Sequence, residues 1–198
     1  FTALNDTSSI TTFFMSATLA KAVDPRRVHF LPMQMRAVYD YLSAGIDVCL
    51  LQAAYDRNGL LRMGPNVDFN PAVLSCAKTV IVEINRGFVA PAGGLAIDPD
   101  RIDYAFESDI PLFEMAPPQL DEVSLKIGER VAGLIQDGDC LQTGIGAIPA
   151  AILSQLTHKN DLGLHGGLLD GGGQALIQSG NVTGQRKAID QGQHVTGM

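Results

Sequence analysis

A glycine-rich loop at residues 144–149 has the residue types and the spacing to hold an anion. It lies between a predicted strand and a predicted helix. Gly144 and Gly146 allow the backbone to approach a ligand, and Pro149 suits the first helical turn, where its missing N–H costs nothing. The free amides and the positive end of the helix dipole favour a phosphate, a carboxylate or a developing oxyanion. Because the loop lacks the third glycine of a dinucleotide fingerprint and the Lys-Ser/Thr of a P-loop, a purely structural turn remains an alternative.

A histidine at the end of a second predicted strand is the next candidate. His165 closes the strand at residues 162–165, and Gly166 and Gly167 follow it. Ligands usually bind where the carboxyl ends of parallel strands meet, so His165 could contact a substrate. A structural histidine with satisfied hydrogen bonds is the alternative.

An aspartate and a basic pair follow this histidine. Asp170 precedes three glycines at residues 171–173, which predicts a helix cap or turn residue first and a catalytic carboxylate second. Arg186 and Lys187 could bind phosphates, although a solvated surface pair is the simpler interpretation.

Composition excludes several classes of protein. The chain has 198 residues, a formal net charge of −7 and 46% hydrophobic residues. The apolar fraction excludes a disordered polyelectrolyte, and the acidic balance argues against a nucleic-acid partner. No run of about 18 apolar residues is available to span a membrane. Because the sequence begins at Phe1 and shows no leader, we expect it not to be a whole gene product with a secretion signal.

The cysteines and histidines predict neither disulfides nor a metal site. Three scattered cysteines do not form a disulfide framework, so we expect buried thiols and a cytoplasmic protein. His29, His158 and His194 have no partner at metal-ligand spacing.

The apolar patterning predicts alternating helices and strands. Predicted helices lie at residues 10–22, 33–42, 71–77, 121–137 and 150–156, and predicted strands lie at 28–30, 46–52, 79–84, 140–143 and 162–165. The helix that Asp121 caps has one predicted apolar face, formed by Val123, Ile127, Val131, Leu134 and Ile135. This alternation indicates an α/β fold with a mainly parallel sheet flanked by helices. An unrelated α/β nucleotide-binding domain remains an alternative at this point.

Four segments carry a resemblance to a known family. They are the turn Asp56-Arg57-Asn58-Gly59, residues 76–85 (CAKTVIVEIN), residues 137–149 (DGDCLQTGIGAIP) and residues 162–165 (LGLH). In these segments the chain resembles the acetyl-CoA hydrolase/transferase family, which includes 4-hydroxybutyrate and butyryl/acetate CoA-transferases. The resemblance implies longer chains with two similar α/β domains of the NagB/RpiA/CoA-transferase type. Residues 1–116 would form the first domain without its N-terminal part, residues 117–120 a linker, and residues 121–198 the start of the second domain.

The resemblance also implies covalent catalysis by a carboxylate. In the family a glutamate attacks an acyl-CoA thioester, and returning CoA forms a glutamyl-CoA thioester that a carboxylate or water resolves. The family motif L-G-[IV]-H-[ST]-E-M places this glutamate at Gly167, beside His165 as a candidate catalytic residue. No glutamate follows Glu129 in this sequence, and Asp170 as a substitute nucleophile is speculative.

The resemblance further implies a binding site and its partners. The implied acyl-CoA site comprises Gln142, Gly144, Ile145, Gly146, Pro149 and Gly166. Coenzyme A or an acyl-CoA is then the substrate, a carboxylate is the second small molecule, no metal is required, and a homo-oligomer is expected. The alternative is a catalytically inactive or repurposed homologue that binds CoA esters or serves as a partner subunit.

Overall fold

Helices and strands alternate along the chain in the computed structural model, which describes residues 7–22, 24–65, 67–114 and 116–196. The helices are α1 (Ala17–Ala22), α2 (Met35–Ser43), α3 (Asn70–Cys76), α4 (Glu122–Ala132), α5 (Ala147–Ser154) and α6 (Gly171–Gln178). The strands are β1 (Ile10–Thr12), β2 (Val28–Phe30), β3 (Val48–Tyr55), β4 (Leu61–Met63), β5 (Thr79–Asn85), β6 (Tyr104–Ser108), β7 (Cys140–Leu141) and β8 (Gly163–Leu164). The pairs β1–β2, β5–β6 and β7–β8 are parallel, whereas β3 and β4 form an antiparallel hairpin. The predicted α/β class with mainly parallel strand pairing is confirmed.

Residues 1–49 and 69–78 form one compact unit. Here the prediction of a helix over residues 10–22 is wrong in its first part, because Ile10–Thr12 pairs with β2 as a strand. The β-branched run Ile-Thr-Thr explains the difference, since such side chains suit an extended backbone. Helices α2 and α3 bury Val38 and Ala72 completely in this unit.

Residues 50–68 and 79–198 form the second unit, which contains a sheet in the order β4-β3-β5-β6. The β-branched sequence of β5 predicts its position well, and Val80 and Val82 are fully buried on one side. Asn85, at the end of β5, is also buried; its side-chain amide donates to the Ile110 carbonyl at 2.8 Å, and its oxygen accepts from the Gly87 amide at 2.7 Å. The loop that follows β5 is therefore anchored to the end of the strand.

The hairpin turn between β3 and β4 is built around a buried ion pair. Asp56 accepts hydrogen bonds from the Asn58 and Leu60 amides and from Arg62 Nε at 2.6 Å. Arg62 also donates to the Gly94 carbonyl at 2.6 Å, which ties the loop after β5 to the hairpin. The Arg62 guanidinium, followed by the Leu60 amide, holds the pKa of Asp56 below its ordinary value.

Helices α4, α5 and α6 surround the β7–β8 pair in the same unit. Their shared core consists of Ala132, Leu153, Leu156, Leu162, Leu164, Leu176 and Val182. The predicted apolar face of α4 is wrong at its ends, because Val123 and Leu134 are 65% and 79% exposed. The face that α4 buries is instead a row of small residues, Ser124, Gly128 and Ala132. A Cβ on Gly128 would come within 2.7 Å of the Ala151 backbone in α5, so only a small-residue face permits this approach.

Element boundaries differ from the sequence-based ones in a few places. Helix α4 ends at Ala132 instead of Asp137, and α5 begins at Ala147, so that Pro149 lies in its first turn as predicted.

Cys49 is buried as expected, but the prediction that Cys140 is buried is wrong, because this cysteine is exposed. The domain division at residues 117–120 stays a prediction. No helix within the described ranges is long and apolar enough to cross a membrane.

The close approach at Gly128 predicts a large effect of one methyl group. Gly128→Ala should lower the free energy of unfolding by about 1 to 2 kcal/mol, because overpacking against the α5 backbone outweighs the better helix propensity of alanine. Gly171→Ala is the matched control, since a Cβ there meets no atom within 4 Å. Urea unfolding of both variants measures the difference, and equal midpoints would contradict the close packing of α4 on α5.

The Asp56–Arg62 pair predicts a pH dependence of stability. Because the folded-state pKa of Asp56 is lowered, its contribution is complete above the unfolded pKa of about 3.9 and disappears as pH falls through the folded-state pKa. Asp56→Asn should therefore unfold at a lower temperature at neutral pH and lose less stability on acidification. Asp40→Asn, which alters an exposed carboxylate of α2, is the control. Thermal melts between about pH 3 and pH 7 test this, and parallel curves for parent and Asp56→Asn would refute it.

Candidate active site

Parallel pairing of β7 with β8 brings the two sequence-predicted loops side by side. Cys140 lies opposite Gly163 and Leu141 opposite Leu164, and the His165 amide continues the ladder by donating to the Leu141 carbonyl at 2.9 Å. Gln142, directly after β7, and Gly166, two residues after β8, are therefore neighbours. A Cβ on Gly166 would lie 3.3 Å from Gln142 Cγ, in tight contact. The structure thus places Gln142 beside Gly166, two of the residues that the resemblance assigns to an acyl-CoA site, whereas the site as a whole stays a prediction.

Polar contacts at both ends of β7 and β8 hold this pair in register. Before the strands, Asp137 accepts hydrogen bonds from the Asn160 amide at 2.9 Å and from the Asn160 side chain at 3.0 Å. The Asn160 side chain, followed by its backbone amide, lowers the pKa of Asp137. After β8 the chain returns at Val195, which accepts from the Gly166 amide at 2.9 Å.

The glycine-rich loop ends in a helix start that has no capping side chain. Gly146 occupies the cap position of α5 with φ +117° and ψ −171°, a conformation that L side chains rarely adopt. The first amides of α5 have no partner within the helix, and Pro149 contributes none. Ile145 is 69% exposed at the loop tip. Exposed backbone donors at the positive end of a helix dipole can hold a carboxylate, a phosphate or an oxyanion.

Open space surrounds Gly167, the position that the resemblance assigns to the nucleophile. A Cβ built on Gly167 meets no atom within 4 Å, and its φ lies outside the left-handed region. The backbone at this position therefore does not require glycine, and a Cβ there contacts no neighbour.

His165 lies beside groups that are distant in the sequence. Its imidazole is half-buried, and Nδ1 is 3.9 Å from a carboxylate oxygen of Asp190. His165 also lines a small cavity together with Gly166, His194 and Thr196. Nδ1 of His194 is buried and has no hydrogen-bond partner among the described residues. Sequence reasoning missed Asp190 and His194, since only the return of the chain beside β8 brings them to His165.

Lys187 contradicts the prediction of a solvated surface pair. It is 6% exposed, and its ammonium donates to the Gln193 carbonyl at 2.9 Å and to the Leu164 carbonyl at 3.4 Å. Its aliphatic stem covers Gly163 so closely that a Cβ there would lie 2.7 Å from Lys187 Cγ. Arg186 is exposed, as the surface interpretation expects, and donates to the Asp137 carbonyl.

Asp170 caps α6, as the simpler interpretation predicted. Its carboxylate accepts from the Gly173 amide at 2.8 Å. Its role as a substitute nucleophile stays a prediction. Within the described part of the chain, no group of three or more His, Cys, Asp or Glu side chains could hold a metal ion.

Comparison with known proteins gives a consistent result across sequence and structure. Residues 3–110 match the family of acetyl-CoA hydrolase/transferase N-terminal domains. The 4-hydroxybutyrate coenzyme A transferase of Clostridium kluyveri is 33% identical over 186 residues, which are 92% of this chain and 43% of that protein. The succinyl-CoA:cyclohexane-1-carboxylate CoA transferase of Geobacter metallireducens is 32% identical over 86% of this chain and 38% of its own length. The chain therefore spans less than half the length of these relatives.

Solved structures resemble nearly the whole chain. RipA from Yersinia pestis superposes with a TM-score of 0.86 and 30% identity, covering 94% of this chain and 46% of RipA. The 4-hydroxybutyrate CoA-transferase of Porphyromonas gingivalis gives a TM-score of 0.81 and 27% identity, covering 99% and 52%.

The two glycines of the loop predict different responses to the same substitution. Gly146→Ala forces a Cβ into a strained conformation and should cost about 1 to 3 kcal/mol of stability or displace the loop. Gly144→Ala should be tolerated, because its Cβ would make only an ordinary 3.7 Å contact with the Pro149 ring. Thermal melts together with amide hydrogen exchange of residues 144–148 measure both effects. An equal response of the two variants would show that the loop conformation is not the one described.

Proposed function

The chain belongs to the acetyl-CoA hydrolase/transferase family, and we propose that it binds acyl-CoA thioesters at the loops after β7 and β8. The observation that carries this proposal is the meeting of two loops at the carboxyl ends of parallel strands, beside the uncapped start of α5. Such an edge is where ligands of α/β proteins usually bind. Relatives that are named for transfer of CoA between acids support an acyl-CoA and a carboxylate as the two substrates.

Within this site, we assign binding of the thioester to the glycine-rich loop. Gln142, Gly144, Ile145, Gly146, Pro149 and Gly166 would surround the thioester. The free amides of α5 would stabilise negative charge on the carbonyl oxygen. His165 would contact the reacting groups from the neighbouring strand end. We also take the protein to be cytoplasmic and homo-oligomeric, as its cysteines and its family lead us to expect.

Gly167 is where this proposal departs from family chemistry. A glycine has no group that could attack a thioester, and no glutamate follows Glu129 in the sequence. A CoA-ester-binding homologue without transferase activity, or a partner subunit, is therefore the second candidate function. The two candidates differ in whether bound acyl-CoA is turned over.

Installing a carboxylate at position 167 distinguishes them. Loss of a covalent nucleophile costs on the order of 10⁴ to 10⁶ in rate, so Gly167→Glu should raise acetyl-CoA turnover with an added carboxylate acceptor by at least about a hundredfold. Gly171→Glu is the matched control, because it adds the same side chain in equally open space four residues further on. The assay is made on the longest natural chain that carries these residues.

Each outcome has a defined meaning. Turnover by Gly167→Glu alone, with a glutamyl-CoA adduct in its mass spectrum, supports a transferase site without its nucleophile. Turnover by the unaltered protein would show that another residue attacks the thioester. Absence of acyl-CoA binding by all three proteins would refute the proposed function.

A further inference from the structure

An open groove lies at the carboxyl ends of β3 and β5, outside the loops described above. It has a volume of about 440 Å³. Its lining includes Tyr55, the last residue of β3, and Arg57 after it, together with Asn85, the last residue of β5, and Arg86 and Val89 after it. Because the last residues of both strands line one groove, β3 and β5 run in the same direction. The groove thus occupies the sheet edge at which α/β proteins bind ligands.

The walls of the groove are held by hydrogen bonds. The Ala90 amide donates to the Tyr55 carbonyl at 3.0 Å, which joins the loop after β5 to the end of β3. Asn85 is 1% exposed and fastens the same loop through the Gly87 amide. Arg62 holds the Gly94 carbonyl at its other end. These hydrogen bonds therefore fix the position of the loop that forms one wall of the groove.

Charge in the groove is unbalanced at one residue. The carboxylate of Asp56 is neutralised by Arg62, and Arg86 forms an ion pair with Glu107. Arg57 is exposed, and the structure shows no carboxylate within ion-pair distance of it among the residues described. A free guanidinium beside Val89 and Pro91 suits a ligand that carries both an anionic and an apolar part.

The loop after β5 lines pockets both on the side of Arg57 and on the side of the proposed site. Pro91 lines a neighbouring pocket together with Arg57, and it also lines a pocket with His194 and Thr196. His194 and Thr196 in turn line the cavity of His165 and Gly166. Arg57 and Gly166 are thus linked by a series of neighbouring pockets that share Pro91, His194 and Thr196.

We propose that Arg57 binds an anionic group of the acyl-CoA whose thioester lies at the loops after β7 and β8. This inference rests on the proposed function. The anion is either a phosphate of CoA or a carboxylate at the end of the acyl chain, and the guanidinium recognises both through paired N–H donors. Neither Gly167 nor any covalent step is needed for this binding.

Calorimetric titration of two thioesters tests the inference. Acetyl-CoA carries the phosphates alone, whereas succinyl-CoA also carries an acyl carboxylate. Arg57→Gln should bind one or both roughly tenfold more weakly than the parent, because it loses a charge-assisted contact. Arg57→Lys should retain part of the affinity, and raising the salt concentration should weaken the parent more than Arg57→Gln. Arg130→Gln, an exposed arginine of α4, is the matched control.

The outcomes distinguish a phosphate from an acyl carboxylate as the anion, and they distinguish failure of this inference from failure of the proposed function. Weaker binding of both thioesters by Arg57→Gln assigns Arg57 to a phosphate, and weaker binding of succinyl-CoA alone assigns it to the acyl carboxylate. Unchanged affinity for both would overturn the role of Arg57 while leaving the proposed function intact. If the parent binds neither thioester, both the inference and the proposed function fail.

Discussion

Parallel pairing of β7 with β8 over only two residue pairs is the contact on which the candidate site depends. So short a ladder cannot hold two loops in register by itself, and the surrounding polar groups supply what it lacks. Asp137 and Asn160 join the chain before the strands, and Lys187 donates to the Leu164 carbonyl at the end of β8. Burying an ammonium group is unfavourable without hydrogen-bond partners, and here two backbone carbonyls accept hydrogen bonds from it. Gly163 is needed under Lys187 because any Cβ would displace its stem.

Two arginines that are close together in the sequence have different roles. One is paired within the fold, and the other is exposed and available to a ligand. Arg62 is largely buried, pairs with Asp56 and fastens the Gly94 carbonyl, so its charge is used within the fold. Arg57 belongs to the same turn region but is exposed and uncompensated. A ligand that competes for Arg62 would have to break a buried ion pair, whereas a ligand that meets Arg57 displaces only water.

Much of the fold could be predicted because its signals are local. The β-branched run of β5, the Asp56 turn and the strand-loop-helix order around Gly146 each depend on neighbouring residues. The packing of α4 could not be predicted from apolar periodicity, because its buried face is defined by the absence of side-chain volume at Gly128. Lys187 was misassigned for a related reason. It is buried against the carbonyls of Leu164 and Gln193, which are 23 and 6 residues away in the sequence. The residue type alone indicates only a charged side chain, and such side chains are mostly exposed to water.

The site residues divide in the same way. His165, Gly166 and Gly167 stand in one short segment, so their position at a strand end could be read from the sequence, whereas Asp190 and His194 reach them only through the returning chain.

The open space beside Gly167 affects which substitutions this position can accept. Some glycine codons become glutamate codons through a single base substitution. Since a Cβ at position 167 meets no neighbour, such a base substitution would exchange glycine and glutamate there without a steric clash at the Cβ.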